Sequence, residues 1–390
     1  MKTGDAFTGL VCFDCDETVT DPLAGRCPAC GGVLDASYDY GSIDVDRAEF
    51  AGRESSQWRY REFLPVARDG AVSLAEGGTP TVDVPDLAAD ADVGRVVVAD
   101  EGRNPTGTVA DRGVSLAVSA ALASDAERVV LASTGNDGQS VAAYAARAGL
   151  DATIYVPSRA DFTTKAMVNV HGATMDVVGG RYDDAVAACR AATGDDEFPV
   201  GVGATPYRHE GAKSLYYELV ADLDWTVPDA VVYPTAHGAG VVGLFEAAHE
   251  WLRLGLTDDV PALYAAQPEG CAPLVEAAPD GPVERWETPD TICGGLEVPD
   301  PELGPQALRA IRESGGDAVA VPDDDALAAA VAVAGREGIE IDAACGVAAA
   351  ATWDLAGDVF GPDDTVAVVN TGVGARDDDV LRSHLMGQGL

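Results

Sequence analysis

Four cysteines close to the amino terminus have the spacing of a metal site. Cys12 and Cys15 form one C-x2-C pair, and Cys27 and Cys30 form a second pair after eleven intervening residues. Each pair places two thiolates on one tight turn, so that four sulfurs can surround one ion as a tetrahedron. The sequence predicts a structural zinc ion, with iron as the alternative because an all-thiolate tetrahedron suits both. Two disulfides are the competing interpretation, which a reducing compartment disfavours.

The other four cysteines show no such spacing. They are scattered through the chain, and we expect each to be a small packing residue. Of these four, Cys345 in the phrase DAACGVAAAA is the best candidate to line a site. The others are Cys189, Cys271 and Cys293.

Three glycine-containing turns follow apolar segments and could bind an anion. The phrase LASTGNDGQS contains the first turn, YPTAHGAGVVG the second and VVNTGVGARD the third. A turn that opens a helix presents free backbone amides at the positive end of the helix dipole. One such turn is weak evidence, whereas three in one chain favour a ligand site at the ends of several strands.

Strands and helices must alternate to hold these turns at the carboxyl ends of strands. Valine-rich runs such as RVVVAD, RVVLAS, DATIYVP, AVVYP and DTVAVVNTG alternate with segments of helical character. This alternation predicts an α/β protein with a parallel sheet. Its length of 390 residues indicates two or three domains.

The charge of the chain excludes several classes of partner. The formal net charge is −40, from 65 acidic and 25 basic residues, and only three of the basic residues are lysines. Nucleic acid and anionic membranes need a basic surface, so we expect neither as a partner. An acidic, lysine-poor surface predicts a halophilic protein whose stability rises with salt. We see no signal peptide and no membrane-spanning run, which predicts a cytoplasmic location.

Several phrases together resemble one family over nearly the whole chain. WRYREFLPV, EGGTP, DEGRNPTGT, STGN, YRHEGAKS and TGVGARD resemble the blocks of threonine synthase, of the fold-type-II pyridoxal-phosphate family, in the same order. The resemblance implies the two-domain open parallel-sheet fold of the tryptophan synthase β-subunit type. A four-cysteine zinc ribbon precedes it, as in some relatives such as cysteate synthase. The implied domains are a ribbon at 1–40, a large domain at 41–104 and 206–390, and a small domain at 105–205.

The resemblance also assigns roles to the glycine turns. It implies that the first turn binds the phenolic oxygen of the cofactor and the substrate carboxylate, through Ser133, Thr134, Gly135 and Asn136. It implies that the second turn holds the cofactor phosphate, through Ala236, His237, Gly238, Ala239 and Gly240. Thr371, in the third turn, is implied to face the pyridine nitrogen.

The chain departs from the family where the chemistry occurs. The family phrase N-P-T-G-S-F-K-D-R-G supplies the lysine of the internal aldimine, but here the phrase is NPTGTVADRG and Ala110 takes the lysine position. Asp137 places a carboxylate where a substrate phosphate is expected, which is repulsive unless a cation intervenes. The family phrase E-P-A-S is replaced by residues 342–345, DAAC. The remaining lysines are Lys2, Lys165 and Lys213.

These features predict a divergent threonine synthase-like pseudoenzyme of amino-acid metabolism. It lacks the usual aldimine catalysis but keeps a cleft for an amino-acid-like ligand, for pyridoxal phosphate held without a covalent bond, or for a phosphorylated ligand. One alternative is an active lyase or β- or γ-replacement enzyme with a relocated lysine. Another is a non-catalytic subunit that pairs with an active paralogue. A homodimer is the assembly expected otherwise.

Overall fold

The structure, a computed structural model, describes residues 1–160, 162–194, 196–277 and 281–387. Its strands are β1 (Phe7–Cys12), β2 (Thr18–Val19), β3 (Leu34–Tyr38), β4 (Thr81–Asp83), β5 (Arg95–Asp100), β6 (Arg128–Ala132), β7 (Asp151–Pro157), β8 (Thr174–Val178), β9 (Glu197–Pro199), β10 (Ala230–Pro234), β11 (Ala262–Pro268), β12 (Ala318–Val321) and β13 (Thr365–Asn370). Its α-helices are α1 (Arg47–Ala51), α2 (Pro85–Ala91), α3 (Ala110–Ala123), α4 (Asn136–Ala148), α5 (Phe162–Val170), α6 (Tyr182–Ala192), α7 (Tyr207–Asp222), α8 (Ala239–Arg253), α9 (Gly304–Glu313), α10 (Asp323–Glu337), α11 (Ala343–Leu355) and α12 (Asp378–Gly387).

The described chain divides into two compact units. Unit 1 comprises Met1–Gly78, Ala110–Glu218 and Arg253–Leu256. Unit 2 comprises Thr79–Val109, Leu219–Leu252 and the chain from Thr257 onward. The three-part division into a ribbon, a large domain and a small domain stays a prediction.

A small antiparallel sheet forms the amino-terminal ribbon of unit 1. Strand β1 lies between β2 and β3, and Cys12 at the end of β1 pairs with Leu34 at the start of β3. The apolar side chains of this sheet, Leu10 and Leu34 among them, form a separate small core. A core of this size stabilises little by itself, which is why such a ribbon usually needs a metal ion to fold.

A four-stranded parallel sheet forms the body of unit 1, in the order β8-β7-β6-β9. Helices α3 and α4 pack with this sheet around a core that includes Val129, Tyr144 and Ile154. Small residues line the whole circumference of α3, and twelve consecutive residues from Ala110 are buried. Close helix packing therefore holds the first turn of α3, where the resemblance places the catalytic lysine.

A six-stranded sheet forms unit 2, in the order β12-β11-β10-β13-β5-β4. All of its pairs are parallel except the edge pair β4–β5, which is antiparallel. The predicted α/β architecture with parallel sheets is confirmed, with this antiparallel edge strand as an addition. Because parallel strands end at one edge of a sheet, the turns after β10 and β13 open at the same edge of unit 2.

The buried carboxylate of Glu76 fixes the segment just before Gly78, where the first part of unit 1 ends. Glu76 is fully buried, and each of its carboxylate oxygens accepts three hydrogen bonds. The donors come from the 57–58 segment, the 73–74 loop, α3 and α4: Gln57 Nε2, Trp58 Nε1, Ser73 Oγ, the Leu74 amide, Ser115 Oγ and Tyr144 Oη. Glu76 therefore joins four separate parts of unit 1.

Candidate functional site

The four ribbon cysteines converge as predicted. The Sγ atoms of Cys12 and Cys30 lie 3.5 Å apart, those of Cys15 and Cys27 lie 3.7 Å apart, and those of Cys15 and Cys30 lie 3.4 Å apart. Thiolates around one zinc ion at about 2.3 Å are separated by similar distances in a tetrahedron. The donor set and its geometry therefore fit a closed zinc site.

Backbone amides donate to sulfurs of both knuckles, but contacts between the sulfurs raise the pKa of the Cys15 and Cys30 thiols in the absence of a cation. The Asp14 amide donates to Cys12 Sγ, and the Gly32 amide donates to Cys30 Sγ, each at 3.4 Å. Burial opposes ionisation of Cys27, but amides of the second knuckle outweigh it and lower the pKa of that thiol to about 7. A thiolate is the form that binds a metal ion, so Cys27 is the cysteine of the ribbon most ready to bind one.

We expect the purified protein to hold about one zinc ion per chain at these cysteines. Cys12→Ser should abolish stoichiometric metal, because three remaining thiolates leave the tetrahedron open. Elemental analysis of protein purified without chelators measures this. Cys189→Ser, at a buried cysteine of α6 outside the ribbon, is the matched control and should keep the metal. Metal-free parent protein, or iron in place of zinc, would contradict the assignment.

The first glycine turn joins β6 to α4 in unit 1. Ser133 Oγ accepts hydrogen bonds from the amides of Gly135 and Gly138, at 3.0 and 2.9 Å, which closes the turn. The amides of Thr134, Asn136 and Asp137 have no partner among the described residues. We call residues 133–137 the STGND loop. Its three unpaired amides at the start of a helix suit a carboxylate ligand.

An arginine neutralises the unusual carboxylate of this loop. Arg208 on α7 is almost fully buried and donates to Asp137 Oδ2 at 2.7 Å and to the Val200 carbonyl at 3.0 Å. The cation that the sequence required beside Asp137 is therefore Arg208. This pair also removes Arg208 as a free cation for a phosphate group.

Ala110 is the first residue of α3 and lies in the apolar core of unit 1. The two residues that follow it have structural contacts. Asp111 accepts a 2.5 Å hydrogen bond from Ser140, and the fully buried Arg112 forms a 2.6 Å ion pair with Glu218. The segment after Ala110 is therefore held in place by the contacts of Asp111 and Arg112.

Each lysine of the chain is engaged elsewhere. Lys213 is buried, with its ammonium 2.8 Å from Glu210 and 4.2 Å from the centre of the Tyr38 ring. Lys165 is partly exposed and donates to the Ser158 carbonyl at 2.9 Å. Lys2 is exposed and pairs with an aspartate at the surface. A buried, ion-paired ammonium is a poor amine nucleophile, since it must first lose its proton and its partner.

The second glycine turn, residues 236–240, joins β10 to α8 in unit 2. Gly238 has a φ of +91°, which favours glycine, and the first amides of α8 have no carbonyl partner within the helix. A side chain at Gly240 would lie 2.1 Å from the Tyr233 ring, so this ring fills the space that a larger residue would need. The backbone of the turn still suits an anion, while its side chains differ from the family pattern.

The third turn follows β13 in unit 2 and is tied to the segment before α3. The Thr371 carbonyl accepts a 3.0 Å hydrogen bond from the Val109 amide, and Thr108 forms a β-bridge with Gly372. The Thr371 side chain is partly exposed. The residue is therefore not sealed in the core, which is compatible with the role that the resemblance implies for it.

The segment that replaces the family phrase E-P-A-S begins with a buried aspartate, Asp342. Asp342 caps α11 by accepting the Cys345 amide at 2.7 Å, and Asp377 accepts the Ala343 amide at 2.8 Å. Burial, together with the charge of Asp377, raises the pKa of Asp342 to about 7. Cys345 is completely buried in the apolar core, where burial also raises the pKa of its thiol. It therefore packs inside unit 2 as a neutral thiol.

Comparison with known proteins identifies the family. Residues 72–372 match the family described as "Pyridoxal-phosphate dependent enzyme". The chain is 34% identical to threonine synthase of Methanosarcina acetivorans over 368 residues, which cover 93% of this chain and 91% of the relative. It is 32% identical to threonine synthase of Methanocaldococcus jannaschii over 94% of this chain and 93% of the relative. The chain belongs to the threonine synthase-like, fold-type-II pyridoxal-phosphate family.

Solved structures of other proteins share the fold. An L-serine ammonia-lyase from Rhizomucor miehei aligns with a TM-score of 0.70 at 20% identity, covering 80% of this chain and 99% of that one. A lysine-to-alanine mutant of O-ureido-L-serine synthase, with O-ureido-L-serine bound, aligns with a TM-score of 0.66 at 20% identity, covering 78% of this chain and 91% of that one. The fold predicted from the resemblance is confirmed.

The structure adds contacts that the sequence did not reveal. Glu76 and Arg208 each bind groups from distant segments, and Tyr233 fills the space beside Gly240. The phrase EGGTP signalled Glu76 only as part of a family block, and YRHEGAKS did the same for Arg208. Among the described residues, no helix combines the length and apolar character needed to cross a membrane.

Proposed function

We propose that this member of the family binds a free α-amino acid, and pyridoxal phosphate without a covalent bond, in place of threonine synthase catalysis. The observation that carries this proposal is Ala110 at the start of α3, while every lysine of the chain has another partner. When bound, pyridoxal phosphate supplies an aldehyde and an electron-withdrawing ring. Catalysis also needs a base for the α proton, and alanine supplies neither amine nor base.

The STGND loop supports an amino acid as the ligand. The unpaired amides of Thr134, Asn136 and Asp137 suit the α-carboxylate. Asp137 Oδ2 is held by Arg208, whereas Oδ1 has no partner in the described chain and can accept a hydrogen bond from the α-ammonium group. A zwitterion therefore matches the loop better than a phosphorylated ligand, because Asp137 Oδ1 can accept from an ammonium group but offers no donor to a phosphate, and Arg208 is already paired with Oδ2.

Pyridoxal phosphate fits the turns of unit 2 without a lysine. The first amides of α8 suit its phosphate, and the hydroxyl of the partly exposed Thr371 suits its ring nitrogen. The bound amino acid in the lysine-to-alanine mutant of O-ureido-L-serine synthase is consistent with ligand binding by this fold when one lysine is absent. The contacts of Lys165 and Lys213 disfavour a relocated lysine, and assembly with itself or with a paralogue stays a prediction.

Titration calorimetry tests this proposal. We expect L-homoserine to bind with a dissociation constant on the order of 1 mM or tighter, and O-phospho-L-homoserine to bind more weakly. Asp137→Asn, which keeps the shape of the side chain, should weaken L-homoserine at least about fivefold through loss of a charge-assisted hydrogen bond. Absence of binding by both the amino acid and pyridoxal phosphate would refute the proposed function.

A further inference from the structure

Two residues in the first turn of α7, Tyr207 and His209, contact the ribbon. Asp35 Oδ1 of β3 lies 3.0 Å from Nε2 of the fully buried His209. Phe13, between the first two cysteines of the ribbon, contacts the same imidazole with ring centres 6.0 Å apart. The hydroxyl of Tyr207 donates to the Pro22 carbonyl of the ribbon. His209 therefore touches both the metal knuckle and the strand that follows it.

A fourth ribbon residue, Tyr38, contacts the next residue of the same turn. Tyr38 of β3 donates a 2.5 Å hydrogen bond to Glu210 Oε2. Lys213 pairs with the same carboxylate and lies over the Tyr38 ring. The ammonium of Lys213 already supplies the cation of this cluster, so the acidic groups here do not call for a second metal ion.

Arg208, which lies between Tyr207 and His209 in the sequence, binds the STGND loop. Arg208 directly precedes His209, and its guanidinium pairs with Asp137 at 2.7 Å. The first amides of a helix lack carbonyl partners within it, so the order of this turn depends on side-chain contacts such as these. Loss of the ribbon contacts would let the turn open locally, and Arg208 would lose its fixed position.

We propose that metal binding by the ribbon orders the STGND loop, through Asp35 and His209 as positioning residues and through the Arg208–Asp137 pair. The metal holds Phe13 and β3, these hold His209, and His209 fixes the neighbouring Arg208. The effect on amino-acid affinity rests on the proposed function, whereas the effect on the order of the loop does not. The ribbon is then a control element for the loop as well as a structural appendage.

Hydrogen exchange of the hydrogen-bonded backbone amides in and next to the STGND loop tests this coupling. Ser133, Gly135 and Gly138 donate to Tyr155, Ser133 and Ser133 respectively, so their exchange reports the order of the loop. After removal of zinc by a chelator, followed by elemental analysis, we expect these amides to exchange about tenfold faster. Amides of β13 in unit 2 should keep their rates.

If removal of the metal unfolds more of unit 1 than the loop, an isosteric variant that keeps its metal tests the coupling instead. Asp35→Asn with its full metal content should speed exchange at the same three amides. Asp69→Asn, which breaks an exposed ion pair with Lys2 and makes the same change in charge, is the matched control and should not. Unchanged loop exchange in metal-loaded Asp35→Asn would overturn the inference. Coupled exchange without any amino-acid binding would refute the proposed function and leave the inference standing.

Discussion

Replacing Glu76 by alanine is expected to lower the free energy of unfolding by about 3–5 kcal/mol. The carboxylate is fully buried, and its removal leaves the buried donors of Gln57, Trp58 and Tyr144 without an acceptor. Burial and the nearby Asp111 raise the pKa of the Tyr144 phenol well above its ordinary value, so without Glu76 the phenol remains a neutral donor that has lost its acceptor. The loss of stability therefore extends to α4, which carries Tyr144 and begins within the STGND loop.

Chemical denaturation in high salt measures this effect, with the slope of the transition checked for two-state behaviour. Glu127→Ala is the matched control, since Glu127 is exposed and its side chain has no partner in the described chain. The control should change stability by no more than about 0.5 kcal/mol. A Glu76 variant as stable as the control would show that water replaces the carboxylate at little cost.

Restoring the family phrase is expected to restore a covalent bond to the cofactor. In a variant with Val109→Phe and Ala110→Lys, we expect pyridoxal phosphate to form a stoichiometric adduct at residue 110 that borohydride reduces. The reason is chemical, because the resemblance assigns this position to the lysine of the family, and a primary amine is the group that forms an imine with the aldehyde of the cofactor. A visible absorption band absent from the parent should accompany it.

Arginine at residue 110 provides the control for this experiment. Val109→Phe with Ala110→Arg adds the same charge at the same place, but a guanidinium does not form a stable imine. Peptide mass analysis after reduction should locate an adduct in the lysine variant alone. If the folded lysine variant forms no adduct, the cofactor does not bind beside α3 and the cofactor part of the proposal fails.

The parallel elements of the fold could be predicted from the sequence because they are apolar and regularly alternating. The predicted strand DATIYVP coincides with β7, Asp151–Pro157, and RVVVAD coincides with β5, Arg95–Asp100. The knuckle spacing likewise predicted the convergence of the cysteines. In each case, residues close together in the sequence are sufficient for the prediction.

Helix α7 could not be predicted in the same way. It is buried around almost its whole circumference although it contains Arg208, His209, Glu210, Lys213 and Glu218, so it has no polar face to show a helical period. These charges are satisfied by partners far away in the sequence, such as Asp35 and Asp137. Pairing of this kind depends on the folded structure, which is also why the role of Glu76 was not evident.

The central claim is that this threonine synthase-like chain forms no covalent link to pyridoxal phosphate. The most direct measurement is borohydride reduction of the parent protein with the cofactor, followed by mass analysis of each lysine peptide. Exposed Lys2 reports the background of non-specific labelling. We predict that Lys165 is labelled no more than this background and that buried Lys213 is not labelled. A stoichiometric adduct at Lys165 or Lys213 would contradict the account and show that a relocated lysine has replaced the amine missing at Ala110.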